Sequence, residues 1–110
     1  MKEIKAIIKP QMLSKVMTAL KSLPHFPGVT VSDCQGFGHG RGKGGKFSPT
    51  EQEVFSVDNK LLLIFCSDAS CHELVQTIQE ASHTGTRGDG VIVVTESLQS
   101  VQISTGKNNE

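Results

Sequence analysis

From Gly36 to Phe47 the chain reads GFGHGRGKGGKF, a run that cannot hold a helix interior or a central strand. Glycine has no Cβ, tolerates positive φ and gives a sheet nothing to pack. The fold must therefore be built from what lies on either side, with a long connection between two strand-like runs, Val29–Val31 and Leu61–Phe65. That connection carries His39, Arg41, Lys43 and Lys46 and no acid before Phe47. Backbone N–H groups left free in such a run can turn toward an anion, and the cations add to the attraction. Connections longer than about 12–15 residues in a compact domain are usually functional or disordered, so a solvated flexible linker is the other reading. A cationic loop projecting from a hairpin is the first expectation.

The rest of the chain reads in alternating periods. Ile4–Ile8 alternates as a strand and closes on Lys9-Pro10, a proline placed to open a helix. Leu13, Val16, Met17, Leu20 and Leu23 follow helical spacing, and Pro24 stops that helix. Val29 to Phe37 reads as a second strand and Glu53 to Cys66 as a third. Ser67-Asp68 offers helix caps, and Ser70-Cys71-His72-Glu73 fits the S-x-x-E capping box, so the second helix can start at either place. Leu74, Val75, Ile78 and Ala81 give its face. Thr84–Gly90 breaks it, Val91–Val94 forms a fourth strand, Val101 and Ile103 suggest a last short one, and 107–110 is a polar tail.

This order is β-α-β-β-α-β, an α+β ferredoxin-like unit occupying residues 1–110 as a single domain. Right-handed crossovers put both helices on one sheet face. The third strand is apolar on both sides along Leu61–Phe65, so its other side also needs cover. With no third helix available, further copies of the chain are the simplest cover, and a symmetric oligomer is expected.

Composition narrows the function classes. Lys+Arg and Asp+Glu both total 11, so no global field steers the chain to nucleic acid or an anionic membrane. RNA-binding basic segments interleave aromatics for stacking, whereas only Phe37 and Phe47 flank this one. No nucleic-acid partner is expected. No nucleophile elbow or carboxylate pair is placed for catalysis, and Asp89 between two glycines reads as a turn-former, so no enzyme is expected. The opening MKEIKAIIKP is too short in apolar residues for a signal peptide or a membrane span, which points to the cytoplasm and to reduced Cys34, Cys66 and Cys71. Cys66-x4-Cys71 lacks the second pair of a zinc site, so buried thiols are favoured over a metal centre. His39, between glycines, is the histidine best placed to donate to a phosphate or bind a metal, the other reading being an exposed loop imidazole; His25, His72 and His83 read as turn or surface residues.

Ile4–Pro10, Gly28-Val29-Thr30-Val31, Gly36-Phe37-Gly38, Thr84-Gly85-Thr86-Arg87-Gly88-Asp89-Gly90 and Ser104-Thr105-Gly106 together resemble the PII nitrogen-regulatory signalling proteins in one register over nearly the full length. The resemblance implies a homotrimer with adenine nucleotides bound in clefts between subunits. It places Gly28, Val29 and Thr30 toward the adenine, Gly36, Phe37 and Gly38 along the cleft, and Gly88, Asp89 and Gly90 at the phosphates. It makes the segment from about 38 to 54 a T-loop that contacts a partner, a membrane transporter or metabolic enzyme, through Arg41, Lys43 and Lys46.

The departures from that family shape the expectation. Where standard members have a phosphate-binding lysine after GDG, this chain has Val91, and Gln102 and Ser104 stand where two arginines would. The chain has no Tyr, Gln52 stands where some members carry a uridylylated one, and Gly40 replaces the T-loop glutamine that helps bind Mg²⁺ and 2-oxoglutarate. A divergent sensor is expected, taking AMP or ADP in preference to ATP, with Arg87 and the loop cations supplying charge. The alternative reading is a metal-binding trimer using Cys34, Cys66, Cys71 or the histidines.

Overall fold

The computed structural model describes residues 1–39 and 54–109. The expected T-loop cations Arg41, Lys43 and Lys46, together with Gly40 and Gln52, lie outside the described residues. Strand β1 (Lys2–Ile8) leads through a single 3-10 turn (Pro10–Met12) into helix α1 (Leu13–Lys21). Strands β2 (Thr30–His39) and β3 (Val54–Cys66) form the hairpin, followed by α2 (Asp68–Ser82) and β4 (Gly90–Glu96). The sheet order is β2-β3-β1-β4 with every neighbour antiparallel, the ferredoxin-like arrangement.

Local chemistry explains the boundaries. Ser22 ends α1 by donating its hydroxyl to the Ala19 carbonyl at 2.7 Å, and Pro24 cannot continue the helix. At α2 the cap is Ser67, in extended backbone, whose side chain accepts from the Ser70 N–H at 3.3 Å. The Ser70–Glu73 capping box is thus not used; Ser70 is the donor inside the first turn. Asp68 there faces the positive end of the helix dipole.

The core lies between the helices and one sheet face. Ile4, Ala6 and Ile8 of β1 and Leu62, Ile64 and Cys66 of β3 pack against Val16 and Leu20 of α1 and Leu74, Ile78 and Ala81 of α2. Each of these is at most 6% exposed, so two-residue strand periodicity and helical spacing agree on a single buried layer. The opposite face has no helix. Ile7, Leu61 and Leu63 are half-buried on it, and Phe65, Val91 and Val93 are 52%, 53% and 47% exposed. The register sets these side chains directly across from one another, Ile7 beside both Leu61 and Val91.

The last short strand expected at Val101–Ile103 does not form. Val101 makes one isolated bridge to Asn108, and the chain reverses through a tight turn in which the Gly106 N–H donates to the Gln102 carbonyl at 2.7 Å. Ser104-Thr105-Gly106 is turn chemistry, and Gly106 takes φ +71° there. The polar tail is likewise tied back: Gln102 N–H donates to the Lys107 carbonyl and Asn109 N–H to that of Ser100, both at 2.8 Å.

Candidate functional site

The loop from Thr84 to Gly90 joins α2 to edge strand β4, and its conformation is organised around Asp89. The Asp89 carboxylate accepts from the Thr84 N–H at 2.9 Å, from the Gly85 N–H at 3.2 Å and from the Thr84 hydroxyl. Left-handed backbone at Gly85 and Gly88, φ +83° in each, folds the loop tightly enough for this. Lys9, just past the end of β1, sets its ammonium 3.1 Å from Asp89 Oδ1 and donates to the Thr86 and Thr84 hydroxyls at 2.7 and 3.2 Å. His83 Nδ1 is 3.5 Å from the other carboxylate oxygen.

Hydrogen bonds from the Thr84 side chain and backbone, with Lys9 behind them, hold the Asp89 carboxyl far below the usual carboxylate range. A carboxylate with a depressed folded-state pKa stabilises the protein above its unfolded value of about 3.9, and that contribution is lost as pH falls through the folded value. Urea midpoints followed from pH 5 down to pH 3 are therefore expected to fall more steeply for the wild-type chain than for Asp89→Asn. Equal slopes would show that the Asp89 cluster adds nothing to the fold.

Lys9 is the residue that sequence reasoning missed. It reads as the end of a strand, and only the pairing of Ile8 with Gly90 reveals that the next residue reaches over the loop. A cation immediately after a strand that pairs with the post-loop strand was the available signal.

The sequence-predicted residues fall into two groups. Arg87, Gly88, Asp89 and Gly90 lie in the loop before β4, with Arg87 exposed. Gly28 (φ +104°), the half-buried Val29 and the exposed Thr30 enter β2, while Gly36, Phe37, Gly38 and His39 lie along its far half. Phe37 is 67% exposed. These groups occupy opposite edges of the sheet, because β3 and β1 stand between β2 and β4. Three inter-strand spacings amount to roughly 14 Å. A single chain does not bring them together.

The positions of the missing cations are also explained in part. Val91 pairs with Ile7 and joins the helix-free apolar face, and Gln102 and Ser104 are exposed in the C-terminal turn. Among the described residues no three His, Cys, Asp or Glu side chains converge as a metal site. Cys34 pairs with Asn59 and Cys66 with Lys2, so about 23 Å of β3 separates them. Among the described residues no helix is long and apolar enough to cross a membrane.

Residues 1–107 match the model of the family described as nitrogen regulatory protein P-II. A nitrogen regulatory protein P-II of Azospirillum brasilense is 36% identical over 107 residues, covering 97% of this chain and 95% of that protein. The protein of that name from Pyropia yezoensis is 34% identical over 109 residues, 99% of this chain and 96% of its own length. The nitrogen regulatory protein GlnK of Escherichia coli (strain K12) is 32% identical over 110 residues, 100% and 97% respectively.

Proposed function

Because the chain belongs to the nitrogen regulatory protein P-II family, we propose that it is a trimeric sensor that reads a small adenine nucleotide between subunits and passes the result to a protein partner. By that membership it is a signal-transduction regulator rather than an enzyme. The observation that carries the sensing is the split of the candidate residues between opposite sheet edges. Two half-sites too far apart in one chain fit a cleft in which the β2 edge of one copy meets the loop before β4 of the next. The helix-free apolar face supports the assembly, since three copies turning Leu61, Leu63 and Phe65 inward would cover it.

The charge inventory favours few phosphates. Lys9 is already paired with Asp89, and Val91 carries no charge, which leaves Arg87 as the exposed cation of the 84–90 loop. Glycine-rich backbone can still present N–H groups to one or two phosphates. His39 and the loop cations Arg41, Lys43 and Lys46 would supply further positive charge for the ligand or for the partner, a membrane transporter or metabolic enzyme.

Calorimetry of the assembled protein with AMP, ADP and ATP tests the reading. AMP or ADP is expected to bind tightest. Arg87→Ala is expected to weaken that binding about 10- to 100-fold, the loss of one charge-assisted hydrogen bond. ATP binding tightest, with Arg87→Ala indifferent, would overturn the ligand order. No heat from any nucleotide would leave the cleft vestigial and the protein a scaffold.

A further inference from the structure

At the sheet end opposite the 84–90 loop, two of the three cysteines meet. Cys66 is the last residue of β3, on the helix-facing side with Leu62 and Ile64, and is 3% exposed. Cys71 sits on α2 three residues before Leu74 and seven before Ile78, two of the side chains that α2 buries in the core. Helical spacing therefore turns Cys71 toward the same core, against which it packs while half-buried. Ser67 caps α2, so Cys66 is the residue just before the cap and Cys71 the fourth helical residue, two positions whose side chains pack together across a helix start.

We propose that Cys66 and Cys71 form a reversible intramolecular disulfide by exchange with a small-molecule disulfide such as oxidised glutathione. The two thiols are unequal in the way such exchange requires. Burial, reinforced by the neighbouring Cys71, pushes the Cys66 thiol up to about 11, so it stays protonated until called on. Cys71 is the more accessible. A cleft of about 850 Å³ opens at the Cys66 end of the pair, lined by Pro27, Phe65, Cys66, Asp68 and Asn108 among others.

The exchange balances without any further reagent. The Cys71 thiolate attacks one sulfur of the small disulfide, forming a mixed disulfide and releasing one small thiolate. Cys66 then gives up its proton to solvent or to that thiolate and attacks the Cys71 sulfur, releasing the second small thiol. Two protein thiols are oxidised and one small disulfide is reduced to two thiols. The two sulfurs must close to about 2.05 Å for this. Cys34 takes no part, being about 23 Å away along β3.

The test uses the full chain equilibrated in glutathione buffers running from fully reduced to fully oxidised, then acid-quenched, unfolded and alkylated. Two of the three thiols should be lost to alkylation together and regained when reduced glutathione is restored. Trypsin should release residues 61–87 as one peptide, since no Lys or Arg interrupts it, and that peptide should be lighter by two hydrogens. Cys34→Ser should leave the two-thiol loss intact. Three alkylatable thiols throughout, a glutathione adduct persisting on Cys71, or a cross-link through Cys34 would each overturn the proposal.

Discussion

Gly90→Ala is expected to lower the stability of the fold by at least about 4 kcal/mol, the range in which single substitutions are exceptional. Gly90 opens β4 at φ +114°, and a Cβ built there would lie 1.7 Å from the Ile7 carbonyl oxygen and 2.8 Å from its carbon. Side chains rarely adopt that backbone, which alone costs about 1–3 kcal/mol. The clash cannot be relieved by moving β1, because that strand is paired on both sides, with β3 and β4. Gly88→Ala is the control. Its φ is +83°, yet nothing lies within 4 Å of the added carbon, so only the backbone term of about 1–2 kcal/mol applies. Urea denaturation followed by circular dichroism distinguishes the two, and equal losses would refute the close approach of β4 to β1.

Phe65→Asp is expected to abolish assembly while leaving the chain folded. Phe65 is 52% exposed on the helix-free face, so in one isolated chain an aspartate there remains hydrated. Its direct cross-strand neighbour on that face is Glu3, another acid, whose carboxylate is already 3.6 Å from the Lys5 ammonium. In a trimer that closes the face, three such carboxylates would be desolvated together at several kcal/mol each. Light scattering at micromolar concentration should therefore return a monomer mass for the variant and a trimer mass for the wild-type chain, with matching far-ultraviolet spectra. A trimeric Phe65→Asp protein would place the subunit contact elsewhere.

What could be read from the residues alone was whatever depends on periodicity. Val16 and Leu20 are fully buried as their spacing in α1 requires, and the two-sided apolar run of β3 divides its side chains between the helices and the bare face. Contacts across long sequence separations were not legible. Lys9 and Asp89 are eighty residues apart, and nothing local to either announces the pair. Val101 and Ile103 alternate as a strand would, but a strand needs a neighbour, and Ser104-Thr105-Gly106 turns the chain back before one is met. The competing caps Ser67 and Ser70 were decided by which backbone entered the helix in extended conformation, a matter of geometry rather than residue type.

The continuity of β3 sets where this chain can change its length. The strand is one unbroken run of 13 residues, and its alternate side chains serve two different apolar environments. Deleting or inserting a single residue between Lys60 and Cys66 would exchange those environments wholesale, sending Leu62 and Ile64 outward and Leu61 and Leu63 into the helix layer. Segment 40–53 obeys a different rule, because it begins and ends on the paired residues His39 and Val54. Lengthening a connection between fixed ends costs only a logarithm of its length. Changes of length are thus tolerated between His39 and Val54, while the strand beside them stays locked in phase.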